Sequence, residues 1–161
     1  MAQRKDSESS PTRTERRSDR EMVVTRTFDA PAHVVFEAWT KPELLERWWT
    51  PRSMGMSLVS CEIDLRPAGG YRFVIGLPGS RTMTFHGTYV EVTSPSRLVW
   101  TNEESEDGSV TTVTFEEQGG KTLVVMREVF PTKEALDENL GAAEAMRITF
   151  GQLDAVLAKP I

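Results

Sequence analysis

The chain has one cysteine, Cys61, in 161 residues, so no disulfide can form within it, and the lone thiol fits a reducing, cytoplasmic compartment. Cys61 falls in an apparent strand with no histidine close in sequence, which reads as a structural thiol rather than a nucleophile. Histidine is nearly as scarce. His33 and His86 are far apart, and no His or Cys pair has ligand spacing, which argues against a transition-metal site. There is no G-x-S-x-G elbow, and Gly69-Gly70 and Gly119-Gly120 lack the context of a phosphate loop, so neither catalytic residues nor a cofactor is assigned. No apolar run approaches the ~20 residues that span a bilayer, and the start lacks a signal-peptide core; membrane insertion is not expected.

Large apolar residues are missing from positions 1–20 apart from Met1, which predicts a disordered N-terminal tail followed by one domain over 21–161. The tail carries six basic and four acidic side chains. Removing its +2 from the chain total of −5 leaves about −7 on the domain, which argues against nucleic acid as a partner.

What is present is a clear order of elements. Met22, Val24, Arg26 and Phe28 alternate with β-branched residues and predict a first strand. Asp29 is then placed to cap a helix with Pro31 in its first turn and Val34, Val35, Ala38 and Trp39 as its apolar stripe. Thr40-Lys41-Pro42-Glu43 matches a capping box for a second short helix that buries Leu44, Leu45 and Trp48 and runs into Trp49 and Pro51. Six strand patterns follow, over about 56–65, 70–75, 82–92, 97–102, 110–118 and 121–129, separated by turn residues; Gly119-Gly120 is a two-residue hairpin signal. Glu103 to Asp107 reads as a solvated loop. The last element is a helix of some 25 residues with Thr132 as N-cap and an apolar stripe from Leu136 to Leu157, in which Gly141 or Gly151 marks a kink or a close approach. Seven antiparallel strands need a cover, and only this helix is long enough.

Two polar residues stand out. His86 would confer pH sensitivity on a cavity if it faced inward, while the plain alternative is a solvent-facing strand histidine. Glu128 shares a strand face with Thr122, Val124 and Met126, so it would serve as a proton acceptor at the end of an apolar face or pair with Arg72, Arg127 or Arg147. Around them, Trp48, Trp49, Tyr71, Phe73, Phe85, Trp100, Met126, Met146 and Phe150 form an aromatic and methionine inventory. Periodicity alone leaves two readings of it, a filled core or the wall of a cavity.

Four stretches, FDAPAHVVFEAWTKPELLERWWTP, EIDLRPAGGYRF, FHGTYVEVTSPSRLVWTN and the run from VTFEEQGGKTL to GQLDAVLA, occur in an order that resembles the START-like (SRPBCC) superfamily. Within it the chain is similar to the bacterial branch related to the activator of the ninety-kilodalton heat-shock protein ATPase. It departs from many members in having Gly141-Ala142 where they carry a Gly-Trp pair. The eukaryotic activators also have a separate N-terminal domain that residues 1–20 are too short to match. The resemblance implies an α+β helix-grip fold, a curved sheet of about seven strands around a long C-terminal helix, and a cavity between them. The expected function is then binding of a small hydrophobic, lipid-like or aromatic ligand. The alternatives are a chaperone-linked interaction module and a small cavity enzyme of the cyclase or hydrolase kind. An exposed sheet face or edge is where a homodimer would form.

Overall fold

The computed structural model describes residues 12–103 and 108–158. It is an α+β structure with one antiparallel sheet of eight strands: β1 (Arg13–Arg16), β2 (Glu21–Phe28), β3 (Ser57–Ile63), β4 (Gly70–Gly76), β5 (Thr82–Thr93), β6 (Arg97–Thr101), β7 (Val110–Gln118) and β8 (Lys121–Val129). Their spatial order is β1-β2-β8-β7-β6-β5-β4-β3. Helices α1 (Ala32–Ala38) and α2 (Pro42–Trp48) follow β2, and α3 (Lys133–Glu138) and α4 (Leu140–Ala158) close the chain. This is the helix-grip arrangement.

The eighth strand corrects the expected tail. Arg13–Arg16 pairs with β2 from Arg13↔Thr25 to Arg16↔Met22. Backbone hydrogen bonding at a sheet edge does not need the apolar side chains whose absence suggested disorder. Polar contacts hold the strand down: buried Arg26 donates from Nη1 to Thr12 Oγ1 at 2.7 Å and from Nη2 to Asp154 on α4, and Arg147 Nη1 reaches Thr12 O at 2.8 Å. Residues 1–11 of the expected tail, residues 104–107 of the expected acidic loop and the last three positions lie outside the described residues.

Two helix starts also differ from expectation. Asp29 does not cap α1; Pro31 occupies the N-cap, and Glu117 of β7 accepts from Ala32 N at 2.9 Å, so the sheet caps the helix. The capping box at Thr40 does not form, because Lys41 is the N-cap of α2 and the Thr40 hydroxyl instead donates back to Phe36 O at 3.0 Å. Thr132 does cap α3, accepting from Ala135 N at 3.1 Å. The expected single last helix is two, broken at Asn139, whose side chain donates to Ala135 O at 2.8 Å and holds the end of α3. Gly141 and Gly151 face open space, so neither serves a close approach. The 19 residues of α4 give it a length of about 28 Å.

β5 is where the sheet changes partners. Its first half pairs with β4 up to Gly70↔Thr88, and its second half pairs with β6 from Tyr89↔Trp100, with the register slipping around Val90. Gly87 sits at this exchange of partners. A Cβ there would lie 1.8 Å from the Thr101 carbonyl oxygen and 2.9 Å from the Tyr71 ring, so only glycine lets the two strands approach. At the other hairpin, Gly119 and Gly120 both have positive φ, 62° and 81°, as the two-residue turn requires.

Candidate functional site

The inward face of the sheet is organised in cross-strand rows. Leu98, Val113, Met126 and Val24 lie side by side across β6, β7, β8 and β2, and all four are buried and apolar. The next inward row runs Tyr89, Trp100, Thr111, Glu128, Met22, and here polar groups enter the face. Beside this second row the sheet and helix separate around a cavity of about 390 Å³. That volume lies within the range of small-molecule sites.

Three elements make the walls. From the sheet come Tyr71, Phe73 and Ile75 of β4, Met83, Phe85 and Tyr89 of β5, and Trp100 of β6. The helix α4 contributes Ala142, Ala145, Met146, Thr149 and Phe150. Alanine at two of these positions leaves space where larger side chains would meet the sheet. The third wall is the segment from Trp48 to Met56, where Pro51 starts a 3₁₀ turn that ends at Gly55 with φ 76°. Met54 and Met83, 53% and 43% exposed, mark the rim.

The adjacent tryptophans divide their roles. Trp48 is 1% exposed, donates from Nε1 to Ala38 O at 2.9 Å and packs edge-on against Trp39 at 4.9 Å. Trp49 is only half-buried and stands edge-on to Phe73 at 5.4 Å on the cavity wall. Their backbone is fixed from α4. The Gln152 amide donates to Trp48 O at 3.1 Å and Thr50 O at 2.7 Å, while its oxygen accepts from Arg52 N at 3.0 Å.

A polar corner closes one end. Asn102, just past β6, accepts at Oδ1 from the Tyr71 hydroxyl at 2.9 Å and from Trp100 Nε1 at 3.2 Å. Its Nδ2 donates to Ser109 Oγ and Thr111 Oγ1, both at 2.9 Å, and the Ser109 hydroxyl donates to Glu128 Oε2. Hydrogen bonding thus runs from the aromatic wall through Asn102 and Ser109 to a carboxylate that lines the cavity. Burial also pushes the Tyr89 phenol well above its ordinary pKa, so it is neutral at any physiological pH. Trp39, at the centre of the neighbouring ring cluster, keeps a buried indole N–H without a hydrogen-bond partner.

Of the eleven site residues read from sequence, ten line this cavity: Trp48, Trp49, Tyr71, Phe73, Phe85, Trp100, Met126, Glu128, Met146 and Phe150. His86 does not. It is exposed on the outer face, opposite Arg72 on β4, because the alternation that turns Phe85 inward turns its neighbour outward. Of the three arginines anticipated as partners of Glu128, Arg127 pairs with Glu21 at 2.7 Å and Arg147 with Glu144 at 3.3 Å, and Arg72 stands opposite the exposed His86. Residues that sequence reasoning passed over include Asn102, Thr111, Tyr89 and Trp39 on the wall and Gln152 behind it. Thr111 was findable once β7 and β8 were set in register, since it stands directly opposite Glu128.

Cys61 lies outside the cavity, half-buried on β3. Burial, with the charges of Glu46, Glu43 and Glu62 adding to it, pushes its thiol up to about 12. It is protonated and poorly nucleophilic at neutral pH. Among the described residues no group of three His, Cys, Asp or Glu side chains is placed to hold a metal ion, and no helix is long and apolar enough to cross a membrane.

Comparison with known proteins places this geometry in context. Residues 29–158 match the family model described as Activator of Hsp90 ATPase homolog 1-like protein. No curated protein is similar enough in sequence to match. Solved structures are similar over nearly their whole length. Protein NE0264 from Nitrosomonas europaea is 25% identical with a TM-score of 0.78, over 87% of this chain and 95% of its own. A protein from Rhodobacter sphaeroides is 24% identical with a TM-score of 0.85, over 92% and 99%. One from Staphylococcus epidermidis is 28% identical with a TM-score of 0.74, over 89% and 92%.

Proposed function

We propose that this chain, which belongs to the Activator of Hsp90 ATPase homolog 1-like family of the START-like superfamily, binds a small hydrophobic molecule in the cavity between its curved sheet and α4. The observation that carries the reading is the space itself: about 390 Å³ lined by aromatic and methionine side chains, at the point where a filled core would have its largest residues in contact. Burying an apolar ligand there would gain about 25 cal/mol for each Å² of apolar surface removed from water. Methionines at the rim and on α4 give walls that adapt to shape. Trp49 stands at the mouth as the reporter and the gate.

Tryptophan fluorescence titrated with a panel of apolar and aromatic ligands is the direct test. Saturable quenching or a blue shift is expected, lost in Trp49→Phe if that residue reports the site. Silence across the panel, with calorimetry equally flat, would sink the reading. The family match also supports a chaperone-associated module. That reading predicts faster ATP turnover by a bacterial Hsp90-type chaperone when the chain is added, and unchanged turnover disposes of it.

A further inference from the structure

Most polar groups on the cavity wall have partners inside the protein. Thr149 Oγ1 lies 3.4 Å from Met146 O, Thr50 Oγ1 3.5 Å from Met56 O, and the Asn139 amide donates to Ala135 O at 2.8 Å. The Tyr71 hydroxyl reaches Thr101 O at 3.0 Å and Asn102 Oδ1 at 2.9 Å, and Glu128 accepts from Ser109. Tyr89 is the exception. It is 4% exposed, it lines the cavity from β5, and its hydroxyl forms no hydrogen bond with any described residue. Nor is that hydroxyl sealed in. Among the described residues, the buried side-chain atoms closed off without a partner are Arg26 Nε and Trp39 Nε1. The Tyr89 oxygen therefore borders the open space that its ring helps to wall. The two partnerless indoles of the wall differ from it. Trp39 is surrounded by the rings of Trp48, Trp49, Phe115 and Phe150 at 4.9 to 6.0 Å, which keeps its N–H out of a ligand's reach, and Trp49 is half-buried, where water can serve its N–H. A buried phenol ordinarily has a partner for its proton, and phenylalanine would fill the same place without desolvating a hydroxyl. Burial also keeps the Tyr89 phenol protonated, so the proton is there to donate.

We propose that Tyr89 anchors the occupant of the cavity, donating from its hydroxyl to a carbonyl oxygen on an otherwise apolar molecule. The carbonyl lies beside Tyr71 and Trp100, whose rings stand 5.9 and 6.4 Å from that of Tyr89, and the apolar body packs toward Phe73, Met146 and Phe150. The assignment rests on the hydrophobic-ligand reading above and deepens it by naming the group that orients the ligand. A ketone, ester or amide meets the requirement. A pure hydrocarbon of the same shape leaves the Tyr89 proton unpaired in a desolvated site, which is how one hydroxyl discriminates between them.

Acetylnaphthalene and isopropenylnaphthalene, substituted at the same ring position, share an outline and differ in C=O against C=CH2. Calorimetric titration of the full chain and of Tyr89→Phe with both gives the ratio of ketone to hydrocarbon affinity in each chain, and the unequal hydration of the two ligands cancels between the chains. That ratio is expected to fall about fivefold in Tyr89→Phe, with hydrocarbon affinity unchanged and a urea midpoint equal to or above that of the wild type. The same ratio in both chains overturns the anchor while leaving hydrophobic binding standing. A lowered midpoint, or a variant that does not fold, shows that the hydroxyl serves the protein itself and overturns the anchor as well. The wild-type chain supplies a check that needs no variant: the infrared carbonyl stretch of bound, isotope-labelled ketone is expected below its value in hexane, and a stretch at the hexane value overturns the hydrogen bond. Binding of neither ligand overturns both the anchor and the hydrophobic reading.

Discussion

Where α1 lies on β7 and β8, aromatic rings interlock: Phe36 meets Phe115 at 5.3 Å and Trp39 meets Phe115 at 5.9 Å. Where the start of α4 faces β4 and β5, the same kinds of residue stand apart around empty space. Composition does not separate the two regions, since both are walled by Phe, Trp and aliphatic side chains. What differs is the covering helix. α1 brings Val35 and Phe36 down onto the sheet, whereas α4 offers Ala142 and Ala145 over the hollow. Small residues on a rigid helix opposite a curved sheet leave a void that neither element can collapse to fill. The filled region supplies stability, and the hollow one is free to bind.

The adjacent tryptophans give the strongest test of that division. Trp48→Ala should cost about 3–5 kcal/mol in urea unfolding, from lost burial and an indole hydrogen bond. Trp49→Ala should cost less than half as much while removing most of the fluorescence response to ligand. Equal losses would mean that the cavity wall is as structural as the core. Enlarging an alanine in each region comes next. Ala38→Leu, in a site 1% exposed, should destabilise by about 1–3 kcal/mol, whereas Ala145→Leu should be accommodated at no cost and weaken ligand binding by occupying the space. At the rim, Met83→Ser should shift stability by no more than about 0.5 kcal/mol, read from the thermal midpoint.

The smallest expected effect is chemical. Because burial raises the Cys61 thiol to about 12, its folded state favours the protonated form. That contribution to stability is present below the ordinary thiol pKa and is lost as pH rises toward the folded value. Iodoacetamide at pH 8 should therefore modify the native chain far more slowly than the urea-unfolded chain, and equal rates would show that β3 is open at this position.

Local patterns made most of the fold legible. Alternation placed seven strands within a few residues of their ends, Gly119-Gly120 marked its hairpin, and Thr132 marked the start of α3. The failures share a cause. Strand β1, the capping of α1 by Glu117 and the polar straps from Arg26 and Arg147 all depend on partners distant in sequence, and local propensity carries no information about them. The site was legible in its apolar part for the same reason that the core was, since wall and core share one periodicity. The facing of His86 stayed open because its strand face could be set only against its neighbours, and Asn102 was missed because its importance lies in bridging Tyr71, Trp100, Ser109 and Thr111.

By itself the sequence determined the order of elements, the inward face of most strands and much of the aromatic wall, because these follow from periods of 2 and 3.6 residues and from turn chemistry. Only the tertiary structure decided that the wall encloses space. Whether large side chains touch or stand apart depends on how closely the strands approach at Gly87 and on which residues α4 sets over the sheet, and both are matters of contact between residues far apart in the chain. It also decided that Trp48 is fully buried while Trp49, its neighbour on the same cavity, is only half-buried: one residue turns a helix by about 100°, and only the position of the sheet says which side of that turn is inside.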